Sequence, residues 1–352
     1  MNAKKLLESL RCPIIQGPMA GGFCTPALIA AVSHAGGVGS LAGSLLSPQA
    51  LREQAAQVQA LTSGPWLLNL FVQHTPAPTE AEIAAASALL EPVWKPLGWS
   101  ALPRPAQWCQ DFAAQFDTLL AVRPPLASFT FDILTADQVE RLHGAGIGVI
   151  GTVTSVAEAL AWQAVGADAV IASGIEAGGH RGTFLGRQED ATLAARSLWP
   201  QVAQAVSIPV IAAGAIMDGA DIRAALDLGA SAVQMGTAFL VTDEAALHPA
   251  YKQRLLAGNA HTRLTRAFSG RYARGIENGF MRQMAGVEEQ VPAYPVQNAL
   301  TASIRAAAAA ANDSESMSLW AGTGVNRARA MPAARLMATL AAELAQQQAS
   351  RD

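Results

Sequence analysis

Three observations predict an α/β fold for this sequence, a TIM-type (β/α)8 barrel with a helical C-terminal addition and an insertion after its third strand. Eight short apolar or β-branched runs alternate with helical patterns over the first two-thirds of the chain, the rhythm of a parallel sheet. The runs IGVIGTV, DAVIAS and PVIAAG are apolar almost without a break, which requires cover on both sheet faces. Residues 148–170 also resemble residues 209–233 unit for unit: strand, small-residue turn, helix, Gly-Ala, next strand. Repeated βα units favour a closed barrel over an open doubly wound sheet.

The elements follow in order. Cys12–Gln16 reads as the first strand, followed by a helix from Thr25 to His34 with Thr25 as N-cap and Pro26 in its first position. Gly37–Leu41 is the second strand, with a helix beginning near Ser47-Pro48, and Trp66–Val72 is the third. Gln73–Arg104 is Pro-rich with polar breaks. It marks an insertion of about 73–120, placed where loops cover the catalytic end of a barrel. Leu126–Phe131, Gly148–Val153, Asp168–Ser173, Pro209–Ala213 and Ala232–Gly236 complete the eight strands. The barrel thus spans 1–242. From about Asp243 the βα pattern gives way to a helix, irregular Gly/Arg-rich sequence (SGRYARGIENGF) and Ala-rich helices. We expect region 243–352 to pack across the barrel mouth, with a short disordered tail after Ala342.

Composition narrows the class further. The chain has 352 residues, 24 Lys+Arg against 27 Asp+Glu, a net charge of −3, 51% hydrophobic residues and only 14% charged. With no basic excess, there is no electrostatic footprint for nucleic acid or an anionic membrane. The low charge argues against disorder, and implies either a chain covered on both sides or subunit contacts, as in a homodimer. Cys12, Cys24 and Cys109 are scattered without a CxxC pair, which excludes a disulfide scaffold or thiolate zinc site and fits a reducing compartment. No secretion signal or long apolar span is legible, so a cytoplasmic protein is expected.

In barrels of this type, active sites form from loops at the C-terminal strand ends. The seventh strand runs into Ala213-Gly214-Ala215 and the eighth into Gln234-Met235-Gly236-Thr237. Paired Gly turns at these positions suit phosphate, since bare backbone N–H groups can face the anion and Thr237 adds a hydroxyl. The weaker alternative is that these glycines only reverse the chain. After the sixth strand, Ser173–Gly182 concentrates Gly174, Gly178, Gly179 and Gly182 around Glu176, His180 and Arg181. An isolated His is more often structural, but between Gly turns at this end His180 is the candidate catalytic residue, a base or an anion-facing donor. Met19, in the turn after the first strand, suits packing on a flat ring or plain core filling. Asn69, polar within WLLNLF, needs a partner: a ligand or an internal network.

Other signals lead away from chemistry. Gly146–Gly151 matches GxGxxG but runs through a strand, where a dinucleotide fingerprint should follow one. His34, His143, His248 and His261 lack metal-ligand spacing, so no metal is expected. Arg263, Arg266, Arg271 and Arg274 read as a mostly solvated, partly salt-bridged face, with an Arg reaching an anionic substrate as the alternative.

Taken together, IIQGPM, GIEAGGHRG, IPVIAAGAIMDG, LGASAVQMGTAFL and SGRYARG resemble the nitronate monooxygenases, formerly 2-nitropropane dioxygenases. The likeness covers most of the chain and is weakest at 73–120. It implies an FMN-dependent flavoprotein barrel without metal. Met19, Asn69 and Ser173 would line the flavin, with Gly178, Gly179 and Gly214 near its ribityl-phosphate. Gln234, Met235, Gly236 and Thr237 would hold the phosphate, and His180 would be the catalytic base or orienting residue. The implied partners are a small nitronate and O2, giving a carbonyl compound and nitrite. Ser173 stands where many members carry Gln, Thr130 where one branch carries His, and residues 296–303 (VQNALTAS) where that branch has aromatic and Lys residues. Two alternatives stay open: an NAD(P)H-dependent flavin reductase of a quinone or enoyl substrate, and a flavin-binding barrel without activity.

Overall fold

The computed structural model describes residues 3–349. Its strands are β1 (Ile14–Gln16), β2 (Gly39–Ala42), β3 (Trp66–Phe71), β4 (Leu126–Thr130), β5 (Gly148–Val153), β6 (Ala169–Ser173), β7 (Val210–Ala213) and β8 (Ala232–Met235). All pair in parallel in chain order from β2 to β8, and β8 then pairs with β1, Gln16 lying opposite Met235. A bridge between Ile15 and Val38 joins β1 to the entry of β2 and closes the ring. The predicted barrel is therefore present, its strand ends within two residues of those read from the sequence.

Period-two alternation along these strands builds two cores. Ile15, Leu67, Leu126, Ile150, Ile171 and Ile211 face inward and pack with Leu6 and Leu7 of the N-terminal helix Ala3–Glu8, which plugs the barrel floor. Leu68, Val149 and Val170 face outward and bury the apolar sides of the wall helices. The helix Pro26–His34 starts as read: the Thr25 side chain accepts from the Leu28 amide and Pro26 opens the first turn. Gly151, the last Gly of the misleading GxGxxG run, lies inside β5, where a Cβ would stand 2.2 Å from the Trp162 indole. Close helix–strand packing explains it.

Three readings need correction. The tail after Ala342 is not disordered: the helix Ala333–Ala349 continues through it, and only residues 350–352 fall outside the described ones. Glu343 pairs with Arg329 at 2.5 Å and accepts the Gly219 amide at 2.9 Å, while Leu344 is buried. This helix packs between Gly219–Asp227 and Pro26–His34, taking the wall place after β8. The SGRYARGIENGF stretch is not irregular throughout: Ala273–Ile276 is a strand, antiparallel to Thr262–Thr265 on one side and to Gly179–His180 on the other. The arginines there are not a solvated face. Arg271 donates to the carbonyls of Arg181 and Thr183, Arg274 to that of Ile175, Arg263 pairs with Glu288 and Arg266 with Glu289.

The insertion holds helices Glu80–Leu89 and Glu91–Trp94. Leu90, Val93 and Trp94 pack with Phe268, Phe280, Met284 and Leu300, so the insertion and the C-terminal region share one core. The helix Phe112–Val122 lies on the barrel wall against β3. No described helix is long and apolar enough to cross a membrane.

Candidate active site

The inward positions change character from floor to mouth. Above the apolar floor, Asn69, Ser128, Thr130, Thr152, Ser173 and Gln234 turn polar side chains toward a cavity of about 640 Å³ at the C-terminal strand ends. Asn69 donates to the Ser128 hydroxyl at 2.9 Å and accepts from Ser44 at 3.3 Å, and Thr130 meets Thr152 at 3.1 Å. Both readings of Asn69 thus coexist: it belongs to an internal network and lines the cavity.

The same wall gathers Met19, Gly178, Gly179, His180, Gly214, Met235, Gly236 and Thr237 alongside Asn69, Ser173 and Gln234. Each residue that the resemblance assigns to the cofactor or to catalysis lines this one cavity. Of the ionisable trio after β6, only His180 reaches the cavity. Arg181 is 1% exposed and donates to the carbonyls of Ser173, Gly174 and Ala191, which ties the loop to its own strand. Glu176 accepts the Ala195 amide at 2.8 Å, supplying an anion to the N-terminus of helix Ala195–Ala205, whose N-cap Ala194 offers no side-chain cap. Gly178 is needed for close approach, since a Cβ there would lie 2.5 Å from the Gly322 amide nitrogen.

Gly214 has φ +124°, a conformation that favours Gly, and Ala215 after it is also left-handed. Among the described residues, the amides of Gly236 and Thr237 find no backbone acceptor. The Thr237 hydroxyl accepts from the Gly322 amide at 3.0 Å, leaving its own proton free to donate. A Cβ at Gly179 or Gly236 would touch nothing within 4 Å, and the buried Gln234 Oε1 has no partner. Free donors, an orphaned acceptor and unfilled space beside glycines fit a large planar cofactor with an anionic tail.

His180 sits in an aromatic box. Its ring centroid lies 5.5 Å from Phe131, 5.7 Å from Tyr294, 5.4 Å from Trp320 and 6.3 Å from Phe71. Burial, with Arg271 and Arg305 nearby, pushes its pKa down to about 3, so the ring is neutral at pH 7. Its Nε2 lies 2.9 Å from the Ser269 hydroxyl.

Sequence reasoning missed Tyr294, Ser269, Trp320 and Arg305. Arg305 interrupts an Ala-rich helix, Ala302–Ala310, and that lone charge was the available signal. Its Nη2 donates to the Asn298 carbonyl at 2.7 Å and side-chain oxygen at 3.1 Å, while its buried Nε lacks a partner. Among the described residues lining the cavity it is the only Arg, and none is Lys, Asp or Glu. The wall is electropositive.

The nitronate monooxygenase family model matches residues 4–343. A probable nitronate monooxygenase of Bacillus subtilis is 42% identical over 326 residues, 90% of this chain and 91% of that one. One from Staphylococcus aureus is 39% identical over 334 residues, 94% of each. A nitroalkane oxidase structure from Streptomyces ansochromogenes superposes with TM-score 0.91 at 40% identity, covering 99% of both chains. FabK from Thermotoga maritima gives TM-score 0.76 at 27% identity, covering 99% of this chain and 97% of its own.

Proposed function

The chain belongs to the nitronate monooxygenase family and is an oxidoreductase, and on that premise we propose that it oxidises alkyl nitronates with O2, using FMN, to a carbonyl compound and nitrite. One observation carries the substrate side of this reading: a cavity of about 640 Å³ with Arg305 and a neutral His180 on its wall and no carboxylate among its described lining residues. Such a pocket favours a small anion over a cation or a neutral sugar.

Gly214, Gly236 and Thr237 would hold the FMN phosphate, Gly178 and Gly179 the ribityl chain, and Met19, Asn69 and Ser173 the ring. Gln234 and Met235, which the resemblance assigns to the phosphate, would face the ring instead, since the unpartnered Gln234 Oε1 can only accept. When bound, FMN supplies electron acceptance from the nitronate and delivery to O2. The protein's own part is positioning. Arg305 would draw in and orient the anion, and the aromatic box of Phe71, Phe131, Tyr294 and Trp320 would exclude water around the reacting carbon. His180 would accept a proton at a ring nitrogen when the substrate arrives as the neutral nitroalkane.

Anaerobic stopped-flow mixing tests the reading. Flavin bleaching by a nitronate, with little by NADH or NADPH, is the expected result. Bleaching by NAD(P)H with inert nitronates would move the assignment to a reductase. Purified protein that cannot bind FMN would sink both.

A further inference from the structure

The first residue of the SGRYARG stretch touches the active-site histidine. Ser269 is fully buried and does not line the cavity. Its hydroxyl donates to the Arg271 carbonyl at 3.0 Å and lies 2.9 Å from His180 Nε2. The Arg271 amide also points at the same oxygen from 3.4 Å. A serine hydroxyl has one proton, and the Arg271 carbonyl, which can only accept, stands in place to take it. With its proton on that carbonyl, the oxygen accepts from His180, and Nε2 then carries the ring proton. Nδ1 is left as the lone pair, and among the described residues it has no hydrogen-bond partner.

We propose that Ser269 is a positioning residue that holds His180 in the Nε2–H tautomer and so presents Nδ1 to the cavity as the proton acceptor. The inference rests on the functional reading above. For a neutral nitroalkane the step balances simply: the carbon-bound proton moves to Nδ1, and the C–H pair becomes the C=N bond. The nitro N=O pair moves onto oxygen. The product is a nitronate facing Arg305 and an imidazolium. A His180 lone pair cannot donate to an anion, so orientation of the nitronate falls to Arg305 and not to His180. The backbone makes Ser269's place rigid: Gly270 has φ +78°, and a Cβ there would lie 2.1 Å from the Pro292 carbonyl oxygen. The register of the small sheet sets His180 opposite Ala273. The charged and titratable groups facing the ring are Arg271, Arg305 and Tyr294.

The decisive measurement is 15N NMR of FMN-loaded protein labelled at the histidine rings, with His180→Asn used to assign the signal. At pH 7 the wild type should show His180 with Nε2 protonated and Nδ1 bare. Ser269→Ala should mix the tautomers and cut kcat on a neutral nitroalkane about tenfold, with KM nearly unchanged. Oxidation of the preformed nitronate, which has no carbon proton to lose, should fall less. Ser269→Thr, which keeps the hydroxyl, should restore the wild-type tautomer. A wild-type His180 protonated at Nδ1, or Ser269→Ala leaving the tautomer unaltered, overturns the proposal even if the variant folds poorly. Wild-type protein with Nε2–H that oxidises neither compound supports the tautomer and overturns only the functional reading.

Discussion

His180 shows how a single residue's surroundings decide its chemistry. Its pKa in the folded chain is held down to about 3 by burial and by Arg271 and Arg305, against 6.5 in an exposed imidazole. Between those values the unfolded chain binds a proton that the folded chain refuses, so stability rises with pH across that window and is lost as pH falls from 6.5 toward 3. His180→Asn should therefore flatten the acid side of the stability profile, measured by urea unfolding between pH 3.5 and 7. The same variant should lose about a hundredfold or more in turnover of a neutral nitroalkane. Arg305→Met has a different signature: KM for the nitronate should rise about ten- to a hundredfold, as expected for loss of a charged hydrogen bond, with a smaller change in kcat. An unchanged KM in oxygen-uptake assays would remove Arg305 from substrate binding. His180 was legible because Gly turns flank it at a strand end. Tyr294, Ser269 and Arg305 were not, because each reaches the cavity or His180 behind it from a C-terminal segment whose pairing to the barrel is invisible in local periodicity.

At the scale of elements, legibility followed burial on two faces. β5 and β6 are apolar but for Thr152 and Ser173 at their mouth ends, and their ends were read nearly to the residue; the caps at Thr25 and Ser47 were equally plain. The strand Gly179–His180 is two residues long and has no period to read. Its partner Ala273–Ile276 carries Arg274 where a strand usually carries an apolar residue, because that side chain staples the Ile175 carbonyl. The turns themselves divide into two kinds, and substitution separates them. Gly174→Ala places a Cβ 2.3 Å from Ala195 Cα and should destabilise the fold by about 1–3 kcal/mol. Gly236→Ala meets no protein atom within 4 Å, so its melting temperature should hold while FMN affinity falls. Thermal melts beside flavin absorbance distinguish the two.

For the whole molecule, the low charged fraction has a physical explanation: a barrel buried inside its own helices, with the insertion and C-terminal region sharing a further core. The wall is completed only by Ala333–Ala349, which the sequence disguised because alanines and glutamines dilute its apolar stripe. Ending the chain at Ala342 would remove Glu343 and Leu344 with the rest of the last turns. We expect a loss of about 2–4 kcal/mol, seen as a lower urea midpoint, from an exposed core edge and an uncapped Gly219 amide.

That last helix also dictates an order of events during synthesis. All eight strands leave the ribosome well before Ala333–Ala349 does, so the nascent barrel has its staves but lacks a hoop between the helices Gly219–Asp227 and Pro26–His34. The residues that complete the cavity from above, Tyr294, Arg305 and Trp320, also emerge late. Stable closure, and with it a finished pocket, is thus postponed until the helix Ala333–Ala349 has docked beside Pro26–His34.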